Sequence, residues 1–201
     1  MADRYMHEVL TPKVLAAESE YYGRQYSTYE NAPEPEPLRP QEVKMIQSRD
    51  SFYMATITEN GWPYLQHRGG PSGFLRVTGP REIAFADYGG NRQLISVGSL
   101  SANNRVALFL MDYPLRTRLK MLGHAEVLDA RAHPDWVETT TPPGGHASKP
   151  ERMVKIEILS YDWNCPKFIT PRFTGNEVQE AVQPLQDRIR ELEREIETLK
   201  G

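Results

Sequence analysis

The stretch SFYMATITENGWPYLQHR, residues 51–68, decides the fold of this 201-residue chain. Its first part, residues 51–58, is rich in aromatic and β-branched side chains, which favour strands. Asn60 and Gly61 follow, and Asn-Gly between two such runs is a strong hairpin signal because both residues tolerate positive φ. Residues 62–68 then form the return strand. The stretch therefore predicts an antiparallel hairpin.

The same pattern continues outward from this hairpin. Short apolar and β-branched runs predict five further strands at Phe74–Val77, Glu82–Ala86, Arg105–Met111, Leu115–Leu128 and Met153–Leu159. Apolar residues at helical spacing predict one short helix among them, at residues 92–100. In the strand 115–128, Leu119 and Met121 should face the core, and Gly123 should bend the chain. Six or seven short, mostly hairpin-linked strands predict a small antiparallel barrel.

The two ends of the chain differ from this central domain, which we place at residues 41–175. Residues 1–40 form an arm, with a short helix predicted at residues 13–19 and four prolines within residues 31–40. Proline fixes φ and lacks the backbone donor, so the proline-rich segment should be extended, as a linker or as a strap over the surface. A second short helix is predicted at residues 41–48.

Residues 176–201 form a C-terminal heptad helix. Apolar residues spaced alternately by four and three make an unbroken a/d seam: Val178, Val182, Leu185, Ile189, Leu192, Ile196 and Leu199. β-branched residues at a and leucine at d favour a parallel two-stranded coiled coil. Pro184 either opens the stable helix or kinks it. The alternative is a lone amphipathic helix docked on its own barrel.

Charge is distributed unevenly along the chain. The 24 basic and 27 acidic side chains give a formal net charge of −3, which excludes a strongly basic nucleic-acid-binding protein. Residues 41–175 alone carry +3, whereas the arm and the tail carry −3 each. No apolar run reaches the roughly 18 residues that span a bilayer, and the start lacks a signal-peptide core. Cys165 is the one cysteine, so no internal disulfide can form and we expect a cytoplasmic protein. The charge and the lack of a long apolar run lead us to expect neither nucleic-acid nor membrane partners.

Two segments of the central domain carry cations suited to an anionic ligand. Arg116, Arg118 and Lys120 fall at every second position of a predicted strand and should share one face. The Gly-rich loop 87–93 opens the predicted helix, and a helix N-terminus beside Arg92 suits a phosphate. Taken alone, the first segment is more typical of a solvated strand face, and the alternative for the second is an ordinary β-to-helix turn.

Two more segments have unusual composition. Residues 66–71 end the second strand with paired glycines, which allow a ligand to approach the backbone, and His67 or Arg68 could bond to it. Residues 162–173 form an apolar loop with two prolines. In this loop, Lys167 close to Cys165 could lower the pKa of the thiol and make it nucleophilic. The alternatives are a simple glycine turn and a loop whose cysteine is a small buried hydrophobe.

In this order, the four segments resemble the FMN-binding split-barrel superfamily of pyridoxamine 5′-phosphate oxidase, and more closely its oxidase-related branch. The resemblance covers roughly residues 41–173. The matching stretches are Ser51–Ala55, Gly61–Phe74, Gly90–Arg92, Val106–Leu110, Arg118–Gly123 and Asp162–Pro166. It implies a mainly β fold, a six-stranded antiparallel split β-barrel, which forms a homodimer with FMN at the subunit interface.

The resemblance also implies which residues bind FMN. The end of the second strand would lie along the flavin, and the turn before the helix would hold the phosphate. The cationic strand would add contacts, and the C-terminal loop would approach from one subunit or the other. The residues so implied are Gln66, His67, Arg68, Gly69, Gly70, Pro71, Asn91, Arg92, Gln93, Arg118, Lys120, Trp163, Asn164, Cys165, Lys167 and Arg172.

The implied function is an FMN-dependent oxidoreductase that acts on a small molecule, with no metal and with no catalytic residue assigned. The chain departs from the true oxidase because it ends in a heptad helix rather than in a substrate-gripping segment with Trp and Arg. Two alternatives use the same barrel. One is a non-catalytic flavin or haem carrier, with haem ligated by a histidine such as His67, His124, His133 or His146. The other is a reductase that uses the deazaflavin F420.

Overall fold

The computed structural model describes residues 3–24, 26, 31–90, 92–142, 148–164 and 166–200. The chain divides into two compact units, each described here by itself. The first comprises Met1–Asp112 and Thr117–Pro166, and the second comprises Tyr113–Arg116 and Lys167–Gly201. In the described residues, no helix is long and apolar enough to cross a bilayer.

Helices and strands follow the predicted alternation closely. The strands are β1 (Ser51–Ile57), β2 (Pro63–Gly69), β3 (Arg76–Gly79), β4 (Glu82–Asp87), β5 (Arg105–Asp112), β6 (Thr117–Asp129) and β7 (Arg152–Trp163). The helices are α1 (Asp3–Val9), α2 (Pro12–Tyr22), α3 (Pro40–Ser48), α4 (Ile95–Ala102), α5 (Pro134–Thr140) and α6 (Gly175–Lys200). Helix α1 was not predicted.

The strands form one antiparallel sheet in the order β2-β1-β5-β6-β7-β4-β3. The mainly β, antiparallel prediction is therefore confirmed. The sheet has seven strands rather than the six implied by the family resemblance. The four-residue β3 pairs only with β4 and lies at one edge of the sheet. Residue patterns alone had indicated all seven segments.

The predicted hairpin of β1 and β2 forms with Ser51 opposite Gly69. Its turn is longer than the predicted Asn-Gly pair, because the Thr58 N–H bonds to the Trp62 carbonyl at 2.9 Å and leaves residues 59–61 between them. Of these three residues, only Gly61 takes a positive φ, of 85°. This matches a three-residue hairpin turn with glycine at the left-handed position.

Several predicted bounds differ from the structure by up to four residues, as at β7, which ends at Trp163 instead of Leu159. Two predicted starts are wrong because the backbone takes a positive φ there. Arg92 and Leu94 have φ of 58° and 55°, so helix α4 begins at Ile95 instead of at residue 92. Arg116 has φ of 52° and lies in the turn before β6, which begins at Thr117. The prediction that Arg116 shares a strand face with Arg118 and Lys120 is therefore wrong.

The core of the first unit lies between the inward faces of the strands and helix α3. Its largest fully buried side chains are Ile46, Phe52, Met54, Leu75, Ile83, Phe85, Leu110, Leu119, Met121, Met153, Ile156 and Ile158. The inward orientation predicted for Leu119 and Met121 is confirmed. Because these residues alternate with polar ones, the opposite face of β6 carries Arg118 and Lys120.

The proline-rich segment of the arm is held against the first unit. The Leu38 N–H donates to the Pro80 carbonyl at 2.7 Å, and the Tyr161 hydroxyl donates to the Pro37 carbonyl at 2.9 Å. Arg4, on α1, donates to the Pro33 carbonyl at 3.0 Å. These bonds use the carbonyls that proline retains, so the segment behaves as a strap rather than as a free linker.

Gly123 lies where the β6–β7 register shifts, as the predicted bend requires. A Cβ at this position would lie 2.5 Å from the Glu157 carbonyl oxygen of β7. We expect Gly123→Ala to lower the free energy of unfolding by about 1–2 kcal/mol, because backbone must move to relieve the overlap. Urea denaturation measures the change.

The matched control for this prediction is Gly98→Ala on helix α4, where an added Cβ meets nothing within 4 Å. Alanine has the higher helix propensity, so the control should be neutral or stabilising by up to about 1 kcal/mol. Equal stability of the two variants would contradict the account of the Gly123 bend.

Candidate functional site

A cavity of about 200 Å³ lies where β2, β4 and the start of α4 meet. Three of the predicted site residues, Gln66, Arg68 and Arg92, line it. Its lining is mostly polar and includes three arginines and two carboxylates: Gln66, Arg68, Asp87, Tyr88, Gly90, Arg92, Leu94, Ser96, Val97, Glu151 and Arg152.

Strand alternation positions Arg68 in this cavity. Tyr64, Gln66 and Arg68 are the half-buried residues of β2, whereas the residues between them are exposed. The Arg68 guanidinium lies 5.7 Å from the centre of the Phe85 ring and 3.3 Å from Asp87 Oδ1. Its Nε is buried and has no hydrogen-bond partner among the described residues. Arg68 therefore retains a donor that a ligand could satisfy.

Asp87 holds two arginines together across strands β2, β4 and β7. Its Oδ1 accepts from Arg68 at 3.3 Å, and its Oδ2 accepts from Arg152 Nε at 2.9 Å. Burial acts to lower the pKa of Arg152, but hydrogen bonds to Asp87 and Glu151 outweigh it and raise that pKa above its ordinary value. The Asp87 carboxylate thus fixes both arginines in orientation.

Neutral donors complete the lining. Gln66 Oε1 accepts from the Tyr64 hydroxyl at 3.2 Å and from the Ser96 hydroxyl at 3.3 Å, so the amide NH₂ of Gln66 is oriented away from both. Ser96 is buried in the first turn of α4. Burial raises the pKa of Tyr88, which keeps its hydroxyl protonated at neutral pH.

Arg92 is the exposed arginine of the cavity, and in the described part of the chain it makes no ion pair. Its left-handed backbone places it before α4 rather than within it. Gly90 also lines the cavity, and a Cβ there would meet nothing within 4 Å. The space beside Gly90 is therefore open to a ligand.

Other predicted residues at the end of β2 lie elsewhere. His67 is on the exposed face of the strand, with its ring 5.6 Å from the Tyr53 ring in an edge-on arrangement. Gly69, Gly70 and Pro71 line a separate cavity of about 40 Å³. A Cβ on Gly70 would lie 2.7 Å from the Phe74 ring. Packing, rather than ligand approach, is thus sufficient to explain this glycine.

The cationic residues of β6 also do not line the 200 Å³ cavity. Lys120 Nζ lies 3.0 Å from Asp162 Oδ2 and 4.7 Å from the centre of the Tyr5 ring, on the unpredicted helix α1. Arg118 resembles Arg68 in having a buried Nε without a described partner. Lys120 is thus neutralised within the chain, whereas Arg118 retains a free donor.

The predicted residues of the C-terminal loop fall into three groups. Trp163 donates to the buried Glu42 carboxylate at 2.5 Å, and the Asn164 N–H donates to the Arg118 carbonyl at 3.2 Å. Lys167 and Arg172 belong to the second unit, in which Arg172 lies 4.9 Å from the centre of the Tyr113 ring. Cys165, the third group, lies outside the described residues.

Two predicted residues of the loop before α4 also do not line the cavity in the described part of the chain. Asn91 lies outside the described residues, and Gln93 is exposed.

Sequence reasoning assigned to the site only three of the eleven residues that line the cavity. Asp87 and Tyr88 lay within the Gly-rich loop but were not chosen, and Ser96 was only one of several helix residues. Arg152 had no local signal, because it meets Asp87 only through the β4–β7 register that pairs Asp87 with Arg152. Pairing at this sequence separation cannot be deduced from a single sequence.

A larger cavity of about 1070 Å³ adjoins this site and shares Val97, Glu151 and Arg152 with it. Its lining combines apolar residues such as Leu100, Ala125 and Val127 with charged residues of both signs. No sequence motif pointed to it. Arg152 therefore lines both the small polar cavity and the larger one.

Comparison with known proteins is consistent with this architecture. The family model for pyridoxamine 5′-phosphate oxidase matches residues 38–162. A conserved hypothetical protein, Rv2991 from Mycobacterium tuberculosis, is 16% identical with a TM-score of 0.50, covering 73% of this chain and 96% of its own. A point variant of HupZ from Group A Streptococcus is 12% identical with a TM-score of 0.50, covering 63% of this chain and 99% of its own.

At these identities, the two structures support the fold alone. No curated protein matches the chain. The family match, in contrast, spans more than half of the sequence and includes the whole sheet except Trp163, the last residue of β7. The chain therefore belongs to the pyridoxamine 5′-phosphate oxidase family.

Proposed function

We propose that this protein binds FMN, with the phosphate in the 200 Å³ cavity, and acts as a flavin-dependent oxidoreductase on a small molecule. The observation that carries the proposal is the cluster of Arg68, Arg92 and Arg152 around one polar cavity. Family membership supports the same assignment.

Charge and donor geometry favour a phosphate ligand. Three guanidinium groups and two carboxylates line the cavity, which leaves an excess of one positive charge for an anion. Arginine binds phosphate with paired, charge-assisted hydrogen bonds. The unsatisfied Nε of Arg68 and the absence of an ion pair on Arg92, in the described residues, leave donors for such bonds. The residues present therefore fit the phosphate end of FMN.

The size of the cavity limits what it can hold. Pockets that enclose a whole ligand usually measure about 300–1,000 Å³, and this cavity of about 200 Å³ is smaller. The flavin ring must therefore lie outside it. We propose that the ring is held between two subunits, because exposed apolar residues on β1 and β2, among them Tyr53, Ile57 and Leu65, offer a surface for a second copy.

When bound, the flavin would supply the electron-transfer chemistry, and the protein supplies binding and orientation. Arg68 and Arg152, held by Asp87, would fix the phosphate, and Arg92 would close over it from the exposed side. The amide NH₂ of Gln66 would contribute neutral donors nearby, because the Tyr64 and Ser96 hydroxyls both donate to its Oε1. None of the described residues of the cavity has an arrangement that singles it out as an acid or a base.

The absorbance spectrum of the purified protein tests this proposal. We expect flavin bands near the positions of free FMN, either as purified or after addition of FMN, and FMN as the mass of the extracted cofactor. Bound F420 or haem would contradict the choice of cofactor. An enzyme and a carrier are distinguished by turnover. In an enzyme, a nicotinamide cofactor should reduce the bound flavin and the substrate should reoxidise it, whereas a carrier should show no turnover.

The interface proposal has its own test, Leu65→Glu, which puts a charge on a side chain that is 63% exposed in the single chain. If a second subunit covers this residue, FMN affinity should fall by about tenfold, because burying a charge is costly. Flavin fluorescence titration measures the affinity.

The control is Ala130→Trp, which narrows the adjoining 1070 Å³ cavity. If FMN affinity falls with Ala130→Trp and stays unchanged with Leu65→Glu, the ring occupies the adjoining cavity, and the interface proposal is wrong.

A further inference from the structure

Helix α6 is the largest feature that flavin binding leaves unexplained. It runs for 26 residues, from Gly175 to Lys200, and buries none of them. Every apolar residue of its heptad seam is at least 36% exposed, and Leu185 and Leu199 are 64% and 86% exposed. Packing of an apolar face is the main source of helix stability in proteins. A stripe of this length that no described residue of the second unit covers therefore points to a partner.

We propose that α6 pairs with α6 of a second copy as a parallel, in-register, two-stranded coiled coil. Its seam places Val182, Ile189 and Ile196 at the a positions. The d positions are Val178, Leu185, Leu192 and Leu199. β-branched residues at a and leucine at d pack best in parallel dimers, because the two layers present different geometries to the incoming side chains.

The flanking charges support the same orientation independently of the seam. In a parallel pair, a g residue faces the e residue five positions later on the partner. Here Arg188 would face Glu193, and Glu195 would face Lys200. Both pairs are attractive, and the two-fold symmetry repeats each of them. The earlier pair, Ala181 with Gln186, is neutral.

An antiparallel pair would be less favourable. It brings g against g and e against e, so only Arg188 with Glu195 would be attractive, and the e residues would meet neutral glutamines. Within one chain, the Arg188 guanidinium already lies 3.9 Å from Glu195 Oε1, which places these two g residues on the same flank of the seam. Charge complementarity therefore selects the parallel, in-register dimer.

The N-terminal cap of α6 and the position of its proline are both compatible with pairing along the seam. Thr174 and Glu177 form reciprocal hydrogen bonds, with the Thr174 N–H donating to Glu177 Oε2 at 2.7 Å and the Glu177 N–H donating to Thr174 Oγ1 at 3.2 Å. This capping box sets the N-terminus. Pro184 lies within the helix at a c position, which faces away from the partner.

Disulfide trapping in the full chain tests this pairing directly. In a Cys165→Ser background, Leu199→Cys places one thiol at a d position. A parallel, in-register coil brings the two thiols together, whereas an antiparallel coil separates them by about 26 Å, or 17 residues of helix. In a glutathione buffer, we expect the linked dimer to predominate on a non-reducing gel. Absence of the linked dimer would overturn the proposal.

Two substitutions show whether the disulfide-linked dimer depends on packing of the seam or forms by random collision of the C-terminal helices. Ile189→Gln puts a polar residue at an a position and should reduce the linked fraction by about fivefold or more. Arg190→Gln, at the neighbouring b position, should leave it unchanged. Equal linkage in both variants would show that the seam does not pair and would overturn the proposal.

Charge reversal tests the register. R188E/K200E makes all four flanking positions acidic, and E193K/E195K makes them all basic, so each variant should repel itself. Mixed, the two should form the heterodimer in about nine-tenths of linked molecules, against half for random pairing. A random distribution would contradict the assigned register. FMN plays no part in this readout, so failure here is distinguishable from failure of the flavin proposal.

Discussion

Replacing Arg68 by alanine is expected to weaken FMN binding by about a hundredfold. The side chain is largely buried, and its Nε lacks a partner among the described residues, so a phosphate oxygen would receive a charge-assisted bond worth about 1.5–3 kcal/mol. Its loss would also leave the cavity without excess positive charge. Arg68→Lys, which keeps the charge but not the fork, should have an intermediate affinity. Quenching of flavin fluorescence measures the FMN affinity of both variants and of the unmodified protein.

The control for Arg68 is Arg81→Ala. Arg81 forms an ion pair with Glu157 at 3.2 Å, a length similar to that of the Arg68–Asp87 pair, but it is more exposed and lies outside the cavity. FMN affinity of the Arg81 variant should equal that of the unmodified protein. If Arg68→Ala and Arg81→Ala retain FMN equally, Arg68 does not contact the phosphate.

Arg92→Ala is expected to have an effect of similar size, also close to a hundredfold loss of FMN affinity. Arg92 pairs with no carboxylate in the described residues, so its full charge is available to the ligand. Because it is exposed, its removal should leave the thermal unfolding midpoint within about 2 °C of the unmodified protein. Affinity and stability are therefore expected to change separately.

The comparison variant for Arg92 is Arg76→Ala, on β3, which removes an equal charge from a residue that does not line the cavity. The net charge of the protein changes by the same amount in both variants, so long-range attraction of FMN falls equally. A loss of affinity as large in Arg76→Ala as in Arg92→Ala would mean that overall charge, rather than contact, governs binding.

Local sequence patterns were sufficient for most of the fold. The hairpin of β1 and β2, the inward faces of Leu119 and Met121 and the bend at Gly123 all follow from propensity and alternation over a few residues. The family resemblance, in contrast, implied one strand too few. Errors occurred where the backbone took positive φ at arginine or leucine, which local composition does not reveal.

The candidate site was less predictable, because its parts come from distant segments. Gln66, Arg68 and Arg92 were predicted from the family resemblance, and they line one cavity. Arg152 and Asp87 meet only through the pairing of β4 with β7, across 65 residues. The position of Lys120 depended on Asp162 and on Tyr5 of a helix that was not predicted. Long-range register and tertiary ion pairs are properties of the folded chain.

The ratio of the dissociation constants of riboflavin and FMN tests the central claim most directly. Riboflavin is identical to FMN except that it lacks the phosphate. A substitution that only damages the fold therefore weakens the binding of both flavins by the same factor. We expect the unmodified protein to bind FMN about a hundredfold more tightly or better, and Arg92→Ala to bring the ratio close to one. Equal affinity of the unmodified protein for the two flavins would contradict the assignment of the arginine cavity to the phosphate.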